Sequence, residues 1–294
     1  MGLASWPPGG PGRGSRRIID THAHDVPLSR KLPSLFLHLT AGLPATAPSA
    51  ERLASARLPD LIEDMERARV RTSLVVLQEE TGEFFRLAAQ HPGRLYGLAY
   101  YDSRSPEQGL AQVRTLCDGH PELILGVATV FSGLQQDPRL ADFAPLYEYC
   151  LRRDLPIQFH TRDEAAGMEP GGAMALAVLA RSYPRLKIVG IHAGGWNDRL
   201  PGLLDRCPNL FLQADALQEA EAAGHGAPRC LRTLLRTAGS RRLMFGSHWH
   251  GREERYLERV EAVQRLTWWQ RANLGWRTAI RVYGPRILPL PSSR

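Results

Sequence analysis

Four short stretches, Asp20-Thr21-His22-Ala23-His24, Phe159-His160-Thr161, Ile191-His192-Ala193-Gly194-Gly195 and Phe245-Gly246-Ser247-His248, each place imidazole just beyond a run of apolar residues. Neutral imidazole is the commonest metal ligand, and zinc, manganese and iron all accept it. A strand repeats its facing every two residues, so His22 and His24 share one face. Asp20 falls on that face too, deeper along the strand, where it would make a structural hydrogen bond or one to a ligand rather than bind metal. The chemistry to expect is that of a divalent cation ringed by histidines.

The elements that must carry these residues alternate along the chain. Strand-like runs cover Arg17–Asp20, Thr72–Leu77, Leu95–Tyr101, Ile124–Phe131, Pro156–His160, Lys187–His192, Asn209–Ala214 and Arg242–Gly246. Amphipathic helical periods fill the intervals at Pro59–Val70, Glu83–His91, Pro106–Cys117, Phe143–Arg153, Ala173–Tyr183, Arg199–Arg206 and Arg229–Thr237. Leu257–Leu266 and Trp268–Tyr283 read as closing helices. Continuous apolar strands between amphipathic helices predict a parallel sheet covered by helices. Eight of them favour the α/β class and a closed (β/α)8 TIM barrel, a fold that needs about 250 residues. A doubly wound sheet would want a Gly-rich phosphate loop after its first strand, and none is present.

That first connection, Asp25 to Leu58, is instead long, with Pro27, Pro33, Pro44, Pro48 and the apolar patch Leu35-Phe36-Leu37. Loops of this length usually serve as lids or binding loops, a disordered insertion being the other reading. The Gly- and Pro-rich residues 1–15 read as a flexible tail, leaving 16–294 for one barrel domain.

Composition narrows the function classes. With 43% hydrophobic and 23% charged residues in 294, the chain is globular rather than disordered or fibrous. The formal charge of +7 invites a nucleic-acid reading, but the arginines are scattered through predicted helices and form no basic cluster. Cys117, Cys150, Cys207 and Cys230 include no C-x-x-C pair, which points to free thiols in a reducing compartment. Without a secretory leader or an apolar run of about 20 residues, a cytoplasmic protein is expected, with neither membrane nor nucleic acid as partner. Trp268, Trp269, Trp276 and Tyr283 are assigned to core or interface packing, and a homodimer is left open.

His-x-His on strand one, His on strands five and six, and Gly-Ser-x on strand eight together resemble the metal-dependent amidohydrolase superfamily. The match is to the amidohydrolase-related branch that includes aminocarboxymuconate-semialdehyde decarboxylase. The resemblance runs from about Arg17 to Gly284, and residues 277–284 resemble the family's closing helix. It implies that His22, His24 and His160 bind one divalent metal, zinc first, with manganese or iron as alternatives. It also implies that His192 polarises substrate or orients water, with Gly194 and Gly195 allowing close backbone approach. Satisfied core histidines are the alternative for the His22 and His24 pair.

One position departs from the family. The strand-eight motif normally ends in an aspartate that binds metal and acts as base, whereas this chain has His248. Imidazole can ligate and, with a pKa of about 6.5, can move protons near neutrality. It cannot offset the charge of a dication. Asp215, after the strand-seven run, is the preferred carboxylate to do so, with Glu79, Glu80, Asp102 and Asp163 as alternatives. The strand-four run Gly126–Val130 lacks the bridging lysine of two-metal members, so a single metal is expected.

The resemblance therefore implies a hydrolase or decarboxylase acting on a small organic carboxylate, amide or lactone. His22, His24, His160 and His248 would hold the metal, and His192, His248 and Asp215 would act in catalysis. Arg162, Arg199 and Trp196 are candidates for carboxylate and ring contacts, with surface arginines of no function as the other reading, and Trp249 and His250 for lining the mouth. The His248 substitution also motivates an alternative, a barrel that has lost turnover and serves as a ligand-binding or partner protein.

Overall fold

The computed structural model describes residues 18–25, 57–78, 81–129, 137–161, 172–192, 200–214, 235, 239–249 and 255–288. Eight parallel strands pair in chain order: β1 (Ile19–His24), β2 (Thr72–Leu77), β3 (Leu95–Tyr101), β4 (Ile124–Thr129), β5 (Ile157–Phe159), β6 (Ile188–Gly190), β7 (Leu210–Gln213) and β8 (Leu243–Met244). The strand-like runs of the sequence thus form one α/β barrel. Every strand residue is buried, as befits a parallel sheet covered on one side by helices and filled on the other.

The helices among the described residues are α1 (Leu58–Ala68), α2 (Thr81–Gln90), α3 (Pro106–Gly119), α4 (Ala144–Arg153), α5 (Ala173–Ser182), α6 (Leu200–Arg206), α7 (Arg255–Gln264), α8 (Trp268–Ala272) and α9 (Thr278–Tyr283). Proline opens α1 and α3, where a missing N–H costs nothing. The expected helix at Arg229–Thr237 lies outside the described residues apart from Leu235, as does most of the Asp25–Leu58 connection. No helix among the described residues is long and apolar enough to cross a membrane.

Two apolar clusters follow from strand alternation. Residues such as Leu61, Met65, Val113, Ile157, Leu210 and Val260 pack between sheet and helices. Leu74, Leu98, Val189, Phe211 and Met244 fill the barrel with Val282 and Tyr283 of α9, which closes the end where the strands begin. The opposite end is left for chemistry.

The edges of the sheet meet through the segment that follows β8. Thr21 N donates to Phe245 O (3.0 Å), His248 N to His22 O (2.9 Å) and His24 N to Trp249 O (3.0 Å). A widened π turn, Asn273–Arg277, separates α8 from α9, and its Leu274 carbonyl accepts from Phe245 N at 2.8 Å. The expected single helix Trp268–Tyr283 is thereby broken in register. Trp268 and Trp269 are 54% and 62% exposed beside the Arg277 guanidinium, so core packing does not describe them. Cys117, Cys150 and Cys207 are free and buried.

Candidate metal centre

The register between β1 and β2 shifts between Asp20 and Ala23, the signature of a bulge. Ile19 faces the barrel interior and Ile18 the helices, so Asp20 also faces the helices. The extra residue turns His22 and His24 inward again while Ala23 faces outward. The expectation that Asp20 shares the face of His22 is therefore corrected, because strict alternation does not survive a bulge. Asp20 instead meets Ser73 of β2 (3.4 Å) and Tyr256 of α7 (3.3 Å).

The five histidines converge where the strands end. His22 and His24 close β1, His160 follows β5, His192 follows β6, and His248 lies beyond β8. His22, His24 and His248 form one group whose nitrogens lie within 4.8 Å of one another, and His160, His192 and His248 form a second. His248 belongs to both. Its ring stacks on His22 at 5.3 Å and 15° and meets His192 edge-on at 4.5 Å. His160 and His192 approach through Nε2 atoms 2.9 Å apart.

Hydrogen bonding sets the tautomer of His22. The Gln158 amide nitrogen donates to Thr21 O (2.7 Å) and to the Tyr283 hydroxyl (2.6 Å), which leaves Oε1 as the acceptor. His22 Nδ1, 2.8 Å from that oxygen, must therefore carry the proton, and Nε2 presents a lone pair. Orientation of a ligating imidazole through its other nitrogen is the usual support for a metal site. Two all-imidazole groups with one histidine pre-set as a ligand fit a divalent cation, particularly zinc, iron or manganese.

The backbone at two of these residues is strained. His192 has φ 55° and His248 φ 52°, left-handed conformations that cost a non-glycine residue about 1 kcal/mol or more. Around His248 the strain is held by buried contacts. The Ser247 N–H and hydroxyl both donate to Asp20, at 2.8 and 2.6 Å, and Arg259 donates to the Ser247 carbonyl. The Trp249 indole N–H donates to Asp64 at 2.9 Å. A Cβ at Gly246 would lie 3.1 Å from the Gln213 amide, so glycine keeps this approach open. Burial raises Asp20 to about 6, against the opposing pull of the Ser247 hydrogen bonds.

Several expected site residues are placed elsewhere. Trp249 is 1% exposed and packs in the core, because its indole is drawn to Asp64 of α1 and not to the mouth. The Asp102 carboxylate is engaged by Arg104 at 2.6 Å. Asp215, Glu79, Glu80, Asp163, Arg162, Trp196, Arg199, Gly194, Gly195 and His250 lie outside the described residues. Gln158, Ser247, Tyr256, Arg259 and Asp64 were not anticipated. Two of them left a signal: Gln158, a polar residue inside an apolar strand two positions before His160, and Ser247, the serine of the Gly-Ser-x motif.

A family model described as Amidohydrolase matches residues 19–284. The fold is similar to that of a TIM-barrel protein from Bordetella bronchiseptica, with TM-score 0.68 and 17% identity over 90% of this chain and 98% of that one. It is similar to 5-carboxyvanillate decarboxylase from Sphingomonas paucimobilis, with TM-score 0.65 and 15% identity over 92% and 99%. An amidohydrolase from Burkholderia multivorans with bound zinc gives TM-score 0.63 and 21% identity over 92% and 99%. No curated protein matches the chain.

Proposed function

This chain belongs to the amidohydrolase family, and from that premise we propose that it is a mononuclear metal-dependent hydrolase or carboxy-lyase acting on a small organic carboxylate, amide or lactone. The observation that carries the reading is the convergence of two histidine groups on His248 at the strand ends. His22, His24, His160 and His248 would hold the cation. When bound, a divalent cation supplies Lewis acidity, which polarises a carbonyl and acidifies water.

The chain's own residues supply the rest. Gln158 holds the His22 proton at Nδ1, turning Nε2 toward the centre. The Nε2 atoms of His160 and His192 lie 2.9 Å apart, and His192, half-buried at the rim, is placed to exchange a proton with a substrate atom. His248 stands where family members carry a carboxylate; its single imidazole lone pair serves either as fourth ligand to the cation or, off the metal, as the base that accepts a proton. Asp215 is proposed to lend the missing negative charge. Zinc is the proposed metal, with manganese or iron as alternatives.

Elemental analysis of the native protein is expected to find one divalent metal per chain, and His160→Ala to lose it. His248→Asp should still take metal, with its zinc affinity changed by about tenfold or more in a chelator competition. Full metal occupancy in His160→Ala would overturn the ligand assignment. A native protein without metal, inert toward esters, amides and carboxylates, would favour the ligand-binding reading.

A further inference from the structure

The buried carboxylate of Asp20 lies outside the ring of histidines yet touches the chain on both sides of it. Its oxygens accept from the backbone N–H of His22 (3.2 Å), the N–H and hydroxyl of Ser247 (2.8 and 2.6 Å), Tyr256 (3.3 Å) and Ser73 (3.4 Å). His22 is the first histidine of the centre, and Ser247 immediately precedes His248. These belong to opposite edges of the sheet and share the seam at which it closes.

We propose that Asp20 is a positioning residue that fixes the separation of His22 and His248 by binding the backbone of both sheet edges at once. Only an acceptor with several lone pairs can take donors from two strands, the segment after β8 and a helix, and an ionised carboxylate presents about four. Apolar packing is non-directional and would leave the left-handed turn at His248 free to relax. Arg259 and Tyr256, both on α7, complete the device. Arg259 donates to the Ser247 carbonyl and Tyr256 to Asp20, so the docking of α7 is transmitted to the two histidines. This inference rests on the metal reading.

The test uses cobalt(II) as the probe in the full-length protein, because its visible absorption reports ligand geometry. Asp20→Asn keeps size but replaces one acceptor oxygen with a donor facing donors. It should shift the cobalt spectrum and weaken zinc binding about 10- to 100-fold in chelator competition. Tyr256→Phe, which removes one of the five donors, should weaken it less than about tenfold. Val263→Ala, a cavity in α7 that removes none of these donors to Asp20, serves as the control for lost stability. It should lower the melting temperature and leave the spectrum unchanged.

An unaltered spectrum and affinity in Asp20→Asn would overturn the proposal, as would an equal spectral shift in Val263→Ala. Should Asp20→Asn not fold, the spectra of Tyr256→Phe and Ser247→Ala decide by the same criterion. If the native protein binds neither cobalt nor zinc, the metal reading and this inference fail together. If it binds both and only the variants' spectra match the native one, this inference alone fails.

Discussion

His22 and His248 stack with their ring centroids 5.3 Å apart and their planes within 15°, although His22 lies on the first strand of the sheet and His248 in the segment after the last. The contact exists because backbone hydrogen bonds across the seam, His248 N to His22 O among them, bring these strands side by side. Barrel closure and the candidate metal centre are thus one structural event.

Gln158 is the inner support of that centre, and Gln158→Met should weaken zinc binding about 10- to 100-fold by releasing the His22 ring from its tautomer. The Tyr283 hydroxyl also loses its partner, at a cost of about 1–3 kcal/mol. Chelator competition and urea unfolding check the two effects separately. Unchanged affinity would show that the ring does not need this anchor.

His192 and the ligand histidines separate by phenotype. His192→Ala is expected to keep its metal while kcat falls about a hundredfold to ten-thousandfold, the usual contribution of a proton-transfer group. Elemental analysis beside turnover on a responsive substrate gives the answer. Loss of metal in this variant would move His192 into the ligand set.

Trp249→Phe removes the indole donor from Asp64, a carboxylate only 2% exposed that is otherwise engaged by Arg67. We expect destabilisation of about 1–3 kcal/mol from the unmet acceptor. A change below about 0.5 kcal/mol in urea unfolding would show that the bond adds nothing.

Burial pushes the Cys117 thiol up to about 12 and the Cys150 thiol well above its ordinary value. A raised pKa keeps the neutral thiol dominant at every pH below it, and only the thiolate is nucleophilic. Iodoacetamide at pH 8 should leave both residues unmodified in the native protein and label them after denaturation. Peptide mapping reads this directly, and native labelling would contradict the packing.

The strand order and the histidine positions were legible in the sequence for different reasons. β2 and β3 match their apolar runs residue for residue, since a strand buried on both faces admits little else. β5, β6 and β8 are shorter than their runs, because the chain leaves the ladder to present His160, His192 and His248. The tryptophans were less legible, because a large apolar ring can equally pack or stand exposed: Trp249, expected at the mouth, is buried against Asp64, while Trp268 and Trp269 are exposed, which leaves the interface half of their core-or-interface reading.

By itself the sequence determined the repeating unit and which strands end in imidazole, because burial periodicity and residue type are local properties. Only the tertiary structure decided that His248 belongs to both histidine groups, that a bulge sends Asp20 toward α7, and that Gln158 sets the proton on His22. Each of these joins residues more than a hundred positions apart or depends on one inserted residue in a register. Such relations arise only when the sheet closes on itself.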